Sequence, residues 1–220
     1  MHSLRPNFDR DLNTLFEQLL AMSSLVDIAL ERSIASLRER DTVSAGGVIA
    51  DDVHINEMRY QIEEHCLKMI ATQQPMAGDL RAIIAVMHAV MELERMADHA
   101  AGIAKIVIRS NEEPPLKPMK KLLRMAELSR QMLTECMQAF VKRDEAAARQ
   151  IASQDAIIDR LNKATVERLI DVMAKHPRAI PSATYMMWIS HNLERIADRV
   201  TNLAEQVVFM TTGDYRELDR

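Results

Sequence analysis

Acidic side chains are paired four residues apart at two matching places in the chain. Glu94 with Asp98 and Glu194 with Asp198 both lie within Leu-Glu-Arg-x-Ala-Asp, a sequence that occurs twice, 100 residues apart. Residues four apart on an α-helix lie on one face, about a turn apart, so each pair points its carboxylates in one direction. Carboxylate oxygens of this kind suit hard or borderline cations.

A second pair of oxygen-bearing side chains precedes each motif, Asp52 with Asn56 and Asp155 with Asp159. If the helices that carry the two pairs are neighbours, the pairs in each half can face one another. We therefore predict a site for Fe, Zn, Mn or Mg in each half, with these ligands: Asp52, Asn56, Glu94, Asp98, Asp155, Asp159, Glu194 and Asp198. Asn56 supplies a neutral carbonyl where Asp159 supplies a charge, so the first site is expected to be weaker.

The same acids have a second interpretation, as solvated helix faces. Repulsion within one exposed pair costs only about a few tenths of a kcal/mol, so it does not demand a cation. Three arginines are placed to neutralise the acids: Arg95, Arg195 and Arg199. Four further side chains are candidate extra ligands: His99, His191, Glu63 and Glu205. The sequence leaves both interpretations open.

Long amphipathic helices must position these side chains. Apolar residues recur at helical spacing and predict helices over 8–40, 43–72, 76–109, 118–142, 144–175 and 182–211. A proline-rich segment at the midpoint divides the chain into two halves of three helices each. The prediction is an all-α protein of two tandem antiparallel three-helix bundles related by pseudo-twofold symmetry. The first bundle spans 1–110, the linker 111–117, the second bundle 118–213 and the tail 214–220.

Composition narrows the function classes. Hydrophobic residues make up 48% and aromatic residues 4% of the chain, a balance that favours helices over sheets. The formal charge of −4, without a basic stripe, argues against nucleic acid as a partner. Cys66 and Cys136 form no CxxC pair and are expected to be buried, reduced thiols. No signal peptide or membrane-length apolar run is apparent, so a cytoplasmic protein is expected.

Motifs of the common catalytic classes are missing from the sequence. It contains no Gly-rich phosphate loop, nucleophile elbow or HExxH, and no Glu-x-x-His pair of the di-iron bundles. A non-enzymatic role is therefore favoured. A metal-dependent helical enzyme and a purely structural helical scaffold are the alternatives.

Several motifs, in order along essentially the whole chain, carry a family resemblance. They are the Leu-Glu-Arg-x-Ala-Asp sequence ending at Asp98 and its copy ending at Asp198, Asp52-x-x-Ile55-Asn56, Gln73-Gln74-Pro75 followed by Asp79-Leu80-Arg81, and Asn202-Leu203-Ala204-Glu205 leading to Thr211-Thr212-Gly213. Any one of them is weak, but their doubled arrangement is specific. The sequence resembles the PhoU family of bacterial phosphate-signalling proteins.

The resemblance implies a cytoplasmic regulatory adaptor built from two three-helix bundles, not an enzyme. Such proteins repress the phosphate-starvation regulon by linking the phosphate ABC transporter, through its ATPase PstB, to the sensor histidine kinase PhoR. Several form homodimers, and some bind metal ions on the acidic motifs predicted above as ligands. Contact with the membrane is then only through partners. A metal-binding helical scaffold, or a regulator of another transporter, is the alternative.

Overall fold

Seven α-helices and one short 3₁₀ helix make up the regular structure in a computed structural model that describes residues 5–114, 116, 119–214 and 217–218. No strand occurs in those ranges. The helices are α1 (Pro6–Glu39), α2 (Thr42–Gln73), α3 (Gly78–Arg109), α4 (Met119–Lys142), α5 (Glu145–Ala152), α6 (Asp155–Lys175) and α7 (Ile180–Thr212), with the 3₁₀ helix Pro177–Ala179 before α7.

The helices pack as two bundles that share one hydrophobic core. Helices α1, α2 and α3 pack against one another, as do α4, α7 and the consecutive pair α5 and α6. The halves meet where α3 packs along α7 and where α1 contacts α4. Leu93 and Leu193, at the start of the two repeated motifs, are both fully buried in that core. The predicted all-α, doubled three-helix architecture is confirmed.

The first turn of each half fixes the register between the halves. Arg40 and Arg143 follow α1 and α4 in the left-handed conformation, with φ of 57° and 54°. The next residues, Asp41 and Asp144, each cap the following helix by accepting backbone N–H bonds at about 3 Å. Residues 103 apart therefore correspond between α1 and α4, and between α2 and the α5–α6 pair. Between α3 and α7 the offset is 100.

Asp27 and Arg130 are equivalent under this register, and they bind each other across the junction of the halves. Arg130 Nε lies 2.6 Å from one Asp27 carboxylate oxygen and Arg130 Nη2 lies 2.8 Å from the other. Two equivalent positions can touch only where the pseudo-twofold axis passes between them. This bidentate ion pair therefore marks the axis between α1 and α4.

A single helix over 144–175 is the one wrong element prediction, because the chain breaks after Ala152. Ser153 Oγ donates to the Gln150 carbonyl at 2.7 Å, and Gln154 N donates to the Ile151 carbonyl in a three-residue turn. These local bonds replace the helical ladder. The break places Asp155 in the first turn of α6, where an acid is favoured by the helix dipole.

The predicted domain boundaries stay predictions. Within the predicted linker 111–117, residues 115 and 117 lie outside the described residues. So do residue 118, the predicted start of the fourth helix, and residues 215–216 and 219–220 of the predicted tail. Leu218 of that tail is described, and its N–H donates to Glu205 at 3.0 Å.

The paired arginines allow a matched stability test. Arg40 donates to the Asn111 and Glu113 carbonyls, whereas Arg143 is exposed. Because glycine adopts a positive φ without penalty, Arg143→Gly is expected to raise the free energy of unfolding by about 0.5–1 kcal/mol. Arg40→Gly gains the same relief but loses the bonds to the carbonyls after α3, for a net loss of about 1–2 kcal/mol. Urea unfolding measures both, and equal shifts would contradict the assigned role of Arg40.

Candidate functional site

The first acidic face, which comprises Asp52, Asn56, Glu94 and Asp98, lies between α2 and α3. Asn56 Nδ2 donates to the Asp52 carboxylate at 3.2 Å. Burial, and then the negative charge of Asp98, raise the pKa of Asp52 above its ordinary value. Burial and Asp98 raise the pKa of Glu94 in the same way, and Asp52 adds to the effect. The three carboxylates thus lie within one another's electrostatic field.

Two basic side chains oppose the acids of this face. Arg59 Nη1 lies 3.8 Å from Glu94 Oε1, and its Nε lies 3.7 Å from Glu63 Oε1. Lys105 lowers the pKa of Asp52 against the burial effect. Neither base was predicted from the sequence. The signal for Arg59 was its position on α2, three residues after Asn56 and four before Glu63.

The second acidic face comprises Asp155, Asp159, Glu194 and Asp198, between α6 and α7. Burial, and then Asp198, raise the pKa of Glu194, with a further contribution from Asp159. His191 Nδ1 lies 3.2 Å from Glu194 Oε2 and acts against that rise. Asp155 is buried with 8% of its surface exposed, whereas Asp159 is exposed. The carboxylates on α7 and α6 therefore influence one another here as well.

The two faces differ in their resident positive charges. Asn162 stands where the first half has Arg59, and its Oδ1 accepts a bond of 2.7 Å from buried Ser190. Glu205 stands where the first half has Lys105. The second face thus has four carboxylates and lacks counterparts of these two bases. This gives a physical reason, beyond Asn56, to expect weaker cation binding at the first face.

The three arginines that the sequence placed near the acids do not all pair with the acidic faces. Arg195 pairs with Asp198 of the second face at 2.7 Å. Arg95 and Arg199 instead pair with Glu92, outside the acidic faces, at 3.2 and 3.3 Å. Arg95 and Arg195 also lower the pKa of Glu94 and Glu194 against the effect of burial, so local neutralisation reaches both faces. It does not cancel the rise in the pKa of either glutamate.

The donor atoms of both faces are of the type that hard cations prefer, but their arrangement is not that of a metal site. In the described part of the chain, no group of three or more His, Cys, Asp or Glu side chains is placed to hold a metal ion. The Asn56 amide points its N–H at Asp52, and the Arg59 guanidinium lies beside Glu94. A cation would need these side chains to rotate. Metal binding at the predicted ligands stays a prediction.

A polar cluster between α3 and α7 was not anticipated from sequence. Glu92 accepts bonds from Arg199 Nη1 at 3.3 Å and from Asn202 Nδ2 at 3.0 Å. The pseudo-twofold counterpart of this contact is neutral, since Asn192 Oδ1 lies 3.0 Å from His99 Nδ1. Burial lowers the pKa of His99 from its ordinary value. His99 therefore serves the α3–α7 interface, and Glu92 carries the charged half of it.

Among the helices of the described ranges, none is both long and apolar enough to cross a membrane.

Comparison with known proteins identifies the family. The PhoU domain model matches residues 19–107 and 122–207. A "Phosphate-specific transport system accessory protein PhoU homolog" of Streptococcus pneumoniae is 33% identical over 98% of this chain and 100% of its own length. A homolog of the same name from Pseudomonas aeruginosa is 32% identical, with 96% and 88% covered.

Two crystal structures are similar to this chain at a TM-score of 0.90 and 32% identity. The structure of PhoU from Pseudomonas aeruginosa covers 94% of this chain and is itself matched over 100% of its length. The structure of the phosphate transport system regulatory protein PhoU from Streptococcus pneumoniae gives 96% and 99%. Both repeats are matched in order, and the fold is shared end to end. The chain belongs to the PhoU family.

Proposed function

We propose that this protein is a cytoplasmic regulatory adaptor of phosphate uptake that represses the phosphate-starvation response when phosphate is plentiful. The proposed partners are a PstB-like ATPase of the phosphate ABC transporter and a PhoR-like sensor histidine kinase. The observation that carries the proposal is the end-to-end match to relatives named as accessory proteins of the phosphate-specific transport system. A regulatory role in phosphate transport follows most directly from this match. Coupling to the kinase and repression of the starvation response are further parts of the proposal.

The proposed role is one of binding and not of catalysis. The relatives are named as accessory or regulatory proteins. One acidic face in each half gives an adaptor two related but unequal surfaces. The proposal includes a homodimer and a divalent cation on the second acidic face, where the carboxylates lack the counterparts of Arg59 and Lys105.

Deletion of the gene in the source organism tests the proposal. We expect alkaline phosphatase to be expressed in medium with ample phosphate, because the starvation response is no longer repressed. A plasmid copy of the wild-type gene is expected to restore repression and serves as the control. Unchanged low phosphatase activity in the deletion strain would remove the regulatory function. Purified ATPase and kinase cytoplasmic domain then test each partner separately, by co-elution with this protein.

A further inference from the structure

An apolar pit opens on the surface between α1 and α2 and reaches down to α3. Its volume is about 130 Å³, and its walls and floor are formed by these side chains: Leu25, Ile28, Ala29, Val48, Ile55 and Ala97. Ala97 belongs to the first repeated motif and is buried. Leu25 and Ile28 are 37% and 46% exposed. A dry cavity of about 150 Å³ with similar walls is large enough to hold benzene, so this pit has room for one large apolar side chain.

The second half has a larger, buried side chain at the position equivalent to Ala29. Under the 103-residue register, Ala29 corresponds to Met132, which is fully buried. Leu25 corresponds to Leu128, which is only 7% exposed. The helix residues that frame the place from α2 are apolar in both copies. The pit therefore lies beside Ala29, where the second half has the larger Met132. Leu25, on the wall of the pit, stays more exposed than its equivalent Leu128.

Carboxylates lie along the α2 edge of the pit. Asp51 is exposed and pairs with Arg32, and half-buried Asp52 of the first acidic face is its neighbour. Arg32 and His54 also line the pit, so its edge has two carboxylates, one guanidinium and one imidazole. In the second half, Gln154 and Glu135 are the equivalents of Asp51 and Arg32. Gln154 is neutral, and its Nε2 donates to Glu135 at 3.3 Å. Of the further acids of the face, Asp98 raises the pKa of both Asp52 and Glu94, and Arg59 and Lys105 oppose these acids only in part. An apolar hole whose edge carries two carboxylates against one arginine has a surplus of negative charge, and it complements an apolar side chain flanked by basic residues.

We propose that this pit is a docking site for a partner protein, which inserts one large apolar side chain from a helical segment and places Lys or Arg against Asp51 and Asp52. Helix-in-groove recognition uses such anchors at i, i+3 and i+4. The inference rests on the proposed adaptor function only in requiring that a partner protein exists. Because a buried apolar anchor dominates this kind of interface, filling the pit is expected to weaken binding by at least about tenfold.

The probe is a labelled helical peptide with one leucine, lysines three and four residues later, and otherwise alanine and glutamine. Fluorescence anisotropy is expected to show that it binds the wild-type protein. A peptide with alanine in place of leucine, and one with glutamate in place of the lysines, are each expected to bind at least tenfold more weakly. Failure of the first peptide to bind, or equal binding of all three, would overturn the proposal.

Two variants copy the second half into the pit. Ala29→Met supplies the side chain found at the equivalent position, and Ile28→Gln copies Gln131 on the exposed wall. Both are expected to weaken peptide binding at least tenfold with an unchanged or higher melting temperature. Ala156→Met, at an exposed alanine on α6, is the matched control and should bind normally. Wild-type affinity in the two pit variants would refute the assignment.

Other occupants have their own signatures. If Ala29→Met converts a dimer into a monomer, the occupant is a second copy, and the proposal as stated is wrong. If benzene binds but the peptide does not, the pit is a small-molecule cavity and the proposal again fails. The alkaline phosphatase assay separates this inference from the proposed function. If the deletion strain still represses alkaline phosphatase but the peptide binds and depends on the pit, the proposed function is rejected and the docking site stands.

Discussion

Replacing Asp155 and Asp159 together by asparagine is expected to weaken binding of Mn²⁺ or Zn²⁺ to the purified protein about a hundredfold. Oxygen sites are tuned over several orders of magnitude by the number of charged ligands, and this change removes half of the four carboxylates. Asparagine keeps the size of each side chain. Burial first, and then the charges of Asp198 and Asp159, raise the pKa of Glu194 and make its negative charge costly, and a bound cation would offset that cost. Isothermal titration calorimetry measures the affinity.

Asp52→Asn is the matched control for the first face. Arg59 and Lys105 already oppose that face, so its contribution is expected to be small and the total affinity nearly unchanged. Arg59→Asn, which copies Asn162 into the first half, is expected to create a second binding event. Negligible binding by the wild type, or equal loss in both asparagine variants, would exclude the second face as the cation site.

Replacing Glu92 by alanine is expected to lower the free energy of unfolding by about 2–3 kcal/mol. Loss of one member of a largely buried ion pair leaves the other charge uncompensated, which costs about 3–5 kcal/mol at fully buried sites. The side chains of Glu92 and Arg199 are 13% and 16% exposed, so the effect is scaled down only modestly. Asn202 also loses its acceptor. Chemical denaturation gives the change directly.

The twofold-related position supplies the control. Asn192→Ala removes a neutral bond to His99, so a loss of only about 1 kcal/mol is expected. The double variant Glu92→Leu/Arg199→Leu removes both charges and is expected to recover much of the stability lost in Glu92→Ala. If Glu92→Ala costs no more than Asn192→Ala, the ion pair does not hold α3 against α7.

Apolar residues at helical spacing were enough to predict most of the helices and their order, and the repeated motif was enough to predict the doubling. The break before Asp155 was missed because no glycine or proline marks it. Serine and glutamine end α5 there through local hydrogen bonds that compete only weakly with a helix in isolation. Tertiary packing, not propensity, decides such a case.

The acidic residues of the candidate site were predicted from the sequence, but the basic residues that oppose them were not. Arg59 reaches Glu94 on a different helix, and Glu92 meets Arg199 from the other half of the chain. Nothing in the spacing of a single sequence pairs residues that far apart. The acidic pairs already set an offset of 103 residues between Asp52 and Asp155. The turns at Arg40 and Arg143 extend this offset to α1 and α4, and with it the contrast between Ala29 and Met132 becomes apparent.

The ion pair on the pseudo-twofold axis favours the pairing of a first half with a second half over the pairing of two identical halves. In a symmetric dimer of identical first halves, residue 27 would meet itself, and two aspartates would repel; two second halves would bring arginine against arginine. Only one copy of each half gives Asp27 against Arg130. The contact on the axis therefore favours one first half against one second half over two identical halves. It requires that the two repeats differ at this position, with aspartate in one and arginine in the other.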